Sequence, residues 1–372
     1  MNAAIDSFSA AAANGLEGIP AATTALSDVQ GDVGRLILCG RDLADFAAGH
    51  GFESAAAEFW AVARAEPAAP AETVRAALGA GRAAAYARFL ALRPALEALT
   101  LSEGLRLGLA SLSEGTAPHI AATAAVPVFV ANVARLKEGH APVAPDPARP
   151  HVEDFLRMLR GGAPSGRDVE ALSTYLVTVM DHGMNASTFT ARVIASTQAN
   201  LVSAVVGAYA ALTGPLHGGA PEPVLEMLDA IGRPERAAAW LEQRLAAGGR
   251  IMGFGHRIYR VRDPRADVLK AALEKLGAGN EKLELARAVE TAALAALRRH
   301  KPERKLDTNV EFYTAMLLDA LGIPRAAFTP VFAMGRVVGW TAHAFEQRRT
   351  GRLIRPASLY VGRTPARADS KP

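Results

Sequence analysis

The chain has 372 residues, half of them hydrophobic, and a formal net charge of +4; that is enough apolar material for one large domain or two unequal ones. Its single cysteine, Cys39, excludes an internal disulfide and suits a reducing compartment. Basic residues are scattered among acids, with no aromatic-plus-basic stripe of the kind that grips nucleic acid, so a solvated arginine-rich surface is expected and nucleic acid is not an expected partner.

Residues 1–14 and 363–372 offer little to bury and are expected to be disordered. The N-terminal stretch carries Asp6 and no basic residue, unlike a secretory leader. A cytoplasmic location is the expectation. Strand-like alternation is confined to short pieces such as "RLILCG" from Arg35. Elsewhere Ala, Leu, Glu and Arg dominate and apolar residues recur at three and four, which predicts a largely helical, all-α chain. The apolar run "HIAATAAVPVFVANVARL" from His119 contains Pro127 and Asn132; it predicts a buried helix rather than a membrane span. "KEGHAPVAPDPARPH", Lys137 to His151, holds four prolines and predicts a loop.

Three glycine-punctuated stretches follow, each with a histidine: "VMDHGMNASTFTARV" (His182), "LTGPLHGGAPEPV" (His217) and "GRIMGFGHRIYRVRDPRADVL" (His256). Between Glu281 and His300 the residues Leu285, Val289, Ala292, Ala296 and Leu297 share one helical face, and the segment ends in Arg298, Arg299 and His300, where cations complement the last carbonyls. "TNVE", Thr308 to Glu311, fits a capping box in which Glu311 reaches back to the N-cap amide. The apolar stripe Val310, Tyr313, Met316, Leu317 and Leu321 then runs to Gly322 and Pro324. On these residues alone, capping is the favoured role for Glu311.

Spacing narrows the chemistry. The histidines lie tens of residues apart, with no HxxxH pair and no cysteine partner, so no metal is expected. "GFGHRI" lacks the third glycine of a dinucleotide loop and sits among helices. No GxSxG nucleophile turn is present. Acid–base chemistry with arginine clamps remains. Each histidine taken singly reads as a satisfied structural residue. Three in glycine-rich turns, with Arg257, Arg260, Arg262 and Arg265 close behind His256, point to a site for an anionic substrate. Gly253 and Gly255 allow the backbone to come close to a ligand.

In this order the pieces resemble the citrate synthase family. The resemblance rests on "GLEGIPAATTALSDVQGDVGRLI", "DHGMNASTFTARVIAST", "GPLHGGAPEPVLEML", "IMGFGHRIYRVRDPRA", "NVEFYTAMLLDALGIP", "FTPVFAMGRVVGWTAHAFEQ" and "RLIRPASLYVG", which together span residues 15 to 362. It implies a helical homodimer with a large domain, 1–217 and 329–372, and a small domain, 218–328, that closes over the substrates. The implied reaction, a step of the tricarboxylic acid cycle, condenses acetyl-CoA with oxaloacetate and hydrolyses citryl-CoA, with no metal or other cofactor. By position His217 resembles the donor to the thioester carbonyl, His256 the group that polarises and protonates the oxaloacetate carbonyl, and the carboxylate at 311 the base. His182, Arg265, Arg336 and Arg355 resemble oxaloacetate ligands, Arg355 reaching into the partner subunit's site, with Asn185 beside His182. Arg260 and the backbone of Gly253, Phe254 and Gly255 resemble the part that receives CoA. The family pattern N-V-D-F-Y reads "NVEFY" here, and relatives carry an aromatic where this chain has Arg41. The resemblance leaves open a 2-methylcitrate synthase using propionyl-CoA, and a homologue whose catalysis is reduced by Glu311. The extra N-terminal domain of the longer, NADH-inhibited enzymes is not seen, so that regulation is not expected.

Overall fold

The structure is a computed structural model; it describes residues 15, 16, 18–217, 221–256, 258–277, 280–358 and 360–363. The disorder expected for 1–14 and for the last residues from 364 lies outside these.

Three short strands come first. β1 (Ser27–Gln30), β2 (Arg35–Leu38) and β3 (Arg41–Asp42) form an antiparallel sheet in sequence order, with Ser27 opposite Leu38 and Ile37 opposite Asp42. β2 is the strand its alternation predicts, burying Leu36 and Leu38. β1, "SDVQ", has no apolar alternation; pairing with β2, not composition, makes it a strand. Arg41 on β3 is exposed and faces Glu58.

The body is helical, as expected. The helices are α1 (Leu43–Gly49), α2 (Phe52–Arg64), α3 (Ala71–Leu96), α4 (Leu101–Ala110), α5 (Pro118–Lys137), α6 (His151–Arg160), α7 (Gly166–Thr178), α8 (Ala186–Ser196) and α9 (Leu201–Leu212). They continue with α10 (Pro221–Ile231), α11 (Ala237–Ala246), α12 (Pro264–Leu276), α13 (Asn280–His300), α14 (Val310–Ala320) and α15 (Phe328–Thr350).

α5 is the core helix. It is long and apolar enough to cross a membrane, but every residue from Ala122 to Ala134 is buried under α3, α4, α6 and α15. Asn132 is tolerated there because its amide donates to the Val128 carbonyl and its oxygen accepts the Val143 amide at 2.7 Å. That second bond ties down the proline loop, which runs from the end of α5 to the start of α6 as predicted. The loop is fixed again by Arg82, whose buried guanidinium binds Asp154 at 2.8 Å and the carbonyls of Asp146 and Arg149.

α15 runs against α2, α5, α7, α8 and α9. Its approach to α7 is close because Gly335 and Gly339 have no side chain: a Cβ there would stand 2.6 Å from the Leu176 carbonyl and 2.3 Å from that of Met180. α10 packs on α14 and on α13, α11 lies on α13, and α12 packs on both α14 and α7. The C-terminal end of α7, the N-termini of α12 and α14, and the middle of α15 therefore meet.

Candidate active site

One carboxylate joins two of these helix ends. Asp263 caps α12 by accepting the Arg265 amide at 3.0 Å, and its other oxygen accepts the amide of Val310, the first residue of α14, at 3.1 Å. The same carboxylate holds Arg265 through Nε at 3.0 Å and Nη2 at 2.8 Å. Arg265 and Glu311 are thereby brought into one pocket. The side chain of Glu290 on α13 supports the arrangement from behind, accepting Thr308 Oγ1, Tyr313 Oη, Arg262 Nη1 and Lys270 Nζ.

His256 arrives on a backbone ribbon. Phe254 pairs with Thr308, the Gly255 amide donates to the Asp307 carbonyl at 2.7 Å, and the Asn309 amide donates to the Gly253 carbonyl at 3.0 Å. Gly253 and Gly255 have φ of +82° and +83°, and a Cβ at either would come within 2.9 Å of Phe312 or Leu306. Their close approach is thus to this chain's own side chains. His256 Nδ1 accepts the amides of Ile258 and Tyr259 at 3.0 and 3.1 Å. A backbone N–H can only donate, so the ring proton sits on Nε2. That Nε2–H lies 3.4 Å from Arg265 Nη2, also a donor. Two donors side by side call for a shared acceptor oxygen. Burial, and then Arg265, push the His256 pKa down to about 4, so the ring is neutral near pH 7.

His217 is fixed from the N-terminus of α8. Its Nε2 accepts the Ser187 amide at 3.2 Å and lies 2.8 Å from Ser187 Oγ. The amide again decides the tautomer: Nδ1 carries the proton and is left to donate elsewhere. Burial, then Arg336, bring the His217 pKa down to about 4; the positive end of the α8 dipole acts in the same sense. Trp340 Nε1 donates to Ser187 Oγ at 3.1 Å from α15. Asn185 caps α8, accepting the Thr188 amide and the Ser187 hydroxyl, so its oxygen is committed to the helix start.

His182 is buried, with Nε2 3.1 Å from the Tyr259 hydroxyl and its ring edge-on to His256 at 5.6 Å. Burial foremost, then Arg265, His256 and Arg336, keep it far below the usual histidine range. The turn that presents it is locked by Asp181, whose carboxylate accepts Ser27 Oγ, the Gly183 amide and His343 Nε2. His343 Nδ1 faces Arg192 Nη1 at 2.7 Å, and Arg192 pairs with Glu346 at 2.7 Å. Burial opposes ionisation of Asp181, yet His343, Arg336 and Ser27 together hold its carboxyl below the usual range.

Arg336 on α15 is buried; Nε donates to the Val179 carbonyl at 2.7 Å and the guanidinium lies over the Phe332 ring at 4.6 Å. No protein carboxylate touches it among the described residues. Burial lowers its pKa to about 10, still charged at neutrality. Arg265, by contrast, is already neutralised by Asp263.

Glu311 does not form the capping box that its spacing suggested. α14 begins one residue later than that motif requires: the N-cap is Asn309, whose side chain accepts the Glu311 amide at 3.0 Å. The Thr308 amide is taken by Asp307 Oδ1 at 2.7 Å, and the Thr308 hydroxyl by Glu290. The Glu311 carboxylate has no hydrogen-bond partner among the described residues, and Arg265 and Arg336 lie near enough to act on its charge. Burial, with Asp263 acting in the same sense against the two arginines, pushes its carboxyl up to about 7.

Arg355 is not brought to this cluster. It is exposed in the segment after α15, where Gln347 Nε2 donates to the Arg352 carbonyl and the Ile354 amide to Ser196 Oγ. It lines a separate cavity of about 510 Å³ with Ile19, Phe189 and Arg192. Arg260 is also exposed; its amide donates to the Gly31 carbonyl beside β1. Spacing alone could not find Ser187, Trp340, Asp181, His343, Asp263 or Glu290, because each acts on a residue far away in the chain. The one usable signal was the helix-start pattern "NAS", which places Ser187 next to a cap.

Over residues 15–357 the chain matches the family described as citrate synthase, C-terminal domain. It is 50% identical over 209 residues to putative citrate synthase 2 of Mycobacterium tuberculosis, a match covering 56% of each, so the chain spans just over half the length of that relative. It is 41% identical over 242 residues to the 2-methylcitrate synthase of the same organism, covering 64% of this chain and 60% of the relative. Among solved structures, citrate synthase from Thermotoga maritima superposes with a TM-score of 0.82 at 32% identity, covering 96% of this chain and 98% of that one.

Proposed function

The chain belongs to the citrate synthase family, and we propose that it condenses acetyl-CoA with oxaloacetate and hydrolyses the resulting citryl-CoA to citrate and CoA. One observation carries the reading: the paired donors His256 Nε2–H and Arg265 Nη2 open onto the same pocket as an unpartnered carboxylate, Glu311, poised near pH 7.

In this reading Glu311 removes a proton from the thioester methyl group. A carboxylate is a weak base for so weak an acid, and the step needs a donor on the carbonyl oxygen as the enol forms. His217 Nδ1–H is that donor. A neutral imidazole suits the task, because its proton is shared with the developing oxyanion without a buried charge having to be created first. The enol carbon attacks the ketone of oxaloacetate, and His256 Nε2–H protonates the new alkoxide. Water then attacks the citryl thioester and the CoA thiolate leaves, taking up a proton. Arg336, Arg265 and His182 hold the carboxylates of oxaloacetate, with Asn185 at the edge through its helix cap. No metal or other cofactor enters the reading.

The charge balance supports a homodimer. Oxaloacetate brings two negative charges, while Arg336 is the one guanidinium described in this pocket without a carboxylate partner. Arg355 of a second copy supplies the other. CoA is received by Arg260 and the Gly253–Phe254–Gly255 backbone. The small domain, 218–328, closes over the site, with α12 spanning the junction because it packs on both α14 and α7. A cytoplasmic enzyme of the tricarboxylic acid cycle fits this chemistry.

Purified protein given oxaloacetate and acetyl-CoA is expected to release free thiol; no release at high enzyme concentration would sink the proposal. A second reading, a 2-methylcitrate synthase acting on propionyl-CoA, is favoured by the relative of that name at 41% identity. The ratio of kcat/KM for the two thioesters decides between them.

A further inference from the structure

Tyr175, on α7, is fully buried, and its hydroxyl has no hydrogen-bond partner among the described residues. Such groups are rare in folded proteins and ask for an explanation. A phenylalanine would fill the same space without leaving a donor unpaired.

The position of the phenol supplies one. The Val179 amide donates to the Tyr175 carbonyl at 3.0 Å, so the two residues stand one turn apart on α7. Arg336 Nε is bound to the Val179 carbonyl, which puts its guanidinium at the backbone one turn beyond Tyr175. α7 also packs against α14, where Glu311 and Thr314 lie three residues apart on one face. Thr314 stands beside the phenol without reaching hydrogen-bond geometry. The charged groups that bear on the phenol are Glu311 from α14, Arg336 from α15 and Arg265 from α12. Those on Glu311 are the same two arginines and Asp263. Among the described residues, the site therefore has one donor lacking an acceptor and one carboxylate lacking a donor.

We propose that Tyr175 is a positioning residue for Glu311: its hydroxyl donates to one carboxylate oxygen as the site closes on substrate, leaving the other oxygen free to take the proton. The inference rests on the reading of Glu311 as the base. It gives the longer glutamate side chain a fixed point, because one anchored oxygen limits the swing that the extra methylene allows. The phenol also stabilises the ionised form of the base, since a hydrogen bond to a carboxylate favours its charged state.

The test compares Tyr175→Phe with the unaltered chain, measuring thiol release from pH 5.5 to 9. The expected result is an acid limb of kcat/KM moved up by about one pH unit, with kcat at pH 7 down about tenfold and KM for oxaloacetate unchanged. A phenol that serves packing alone would leave the acid limb in place, and an unmoved limb overturns the proposal. Glu311→Asp supplies the second arm. The shorter side chain withdraws from the phenol, so adding Tyr175→Phe to Glu311→Asp should cost little more, a non-additivity that contact between the two requires. Full additivity overturns it. Glu311→Gln separates this inference from its premise. If Glu311→Gln is inactive while Tyr175→Phe leaves the limb in place, only the role of Tyr175 fails. If Glu311→Gln stays fully active, the base assignment fails and takes this proposal with it.

Discussion

The Thr308 amide donates to Asp307 Oδ1 at 2.7 Å, and this short local bond releases Glu311 from its helix. Had Glu311 closed the capping box, its carboxylate would be turned back along the chain and away from any substrate. Asn309 and Asp263 cap the helix, taking the Glu311 and Val310 amides. Removing the proposed base should therefore cost chemistry rather than fold. Glu311→Gln is expected to lower kcat by three orders of magnitude or more, on the order of the loss of a general base together with its placement. Glu311→Asp retracts the carboxylate by about one ångström and is expected to cost on the order of a hundredfold. Steady-state thiol release checks both. A gain in kcat for Glu311→Asp would instead mark this site as one that has lost efficiency.

The raised Glu311 pKa sets a pH dependence in the acid direction. As the proposed base, Glu311 acts only when ionised, so kcat/KM should fall below about pH 7 and level off above it. His217 and His256, held at about 4, stay neutral through that range and add no limb of their own. Stability has the opposite sign. The Glu311 carboxyl goes from an unfolded value of 4.5 to about 7 in the fold. Its contribution is thus fully present below 4.5 and lost as pH rises through about 7. Glu311→Gln removes the buried charge, so its Tm advantage over the natural protein should be larger at pH 8 than at pH 5. Equal advantages at both would contradict the shift.

Ser187 is the hinge of the His217 arrangement, accepting from Trp340 Nε1 at 3.1 Å while its own amide fixes the imidazole tautomer. Ser187→Ala keeps the amide and removes the hydroxyl. The tautomer should survive, but the ring loses its second contact and Trp340 its acceptor. A fall in kcat of about tenfold to a hundredfold, with KM for oxaloacetate within twofold, is the expected split for a residue that aims a catalytic donor. A rise in KM alone would assign Ser187 to substrate binding instead.

The helical body was legible because apolar spacing is local: α5, α14 and the proline loop stand where composition puts them. β1 was not, since "SDVQ" becomes a strand only by meeting β2. In the site, His182, His217 and His256 could be picked out because each sits in a glycine-punctuated stretch, whereas Arg336, in the apolar run "FAMGRVVGW", stood out only through the family resemblance. Their partners could not. Asp181 reaches His343, Glu290 reaches Thr308, and Ser187 reaches His217 across separations of 18 to 162 residues, and no periodicity encodes such pairs. Arg265 shows the cost of that limit. As a lone arginine near a histidine it promised a free positive clamp, whereas Asp263, two residues before it, neutralises it and spends one carboxylate on two helix ends.

That neutralisation makes the proposed dimer testable through Arg355. If the second positive charge comes from another copy, Arg355→Ala should raise KM for oxaloacetate steeply while leaving the fold intact, since Arg355 is exposed. Mixing separates the two ways this could happen. Arg355→Ala and Glu311→Gln are each expected to be nearly inactive alone. When the two variants are unfolded together and refolded at equal amounts, half of the dimers carry one copy of each. In such a dimer one site has an intact Glu311 and borrows an intact Arg355, while the other has lost both. Activity should return to about a quarter of that of the natural protein if assembly is random and pairwise. Recovery of this kind requires that Arg355 act across the interface; its absence, with dimers present by light scattering, would confine Arg355 to its own chain.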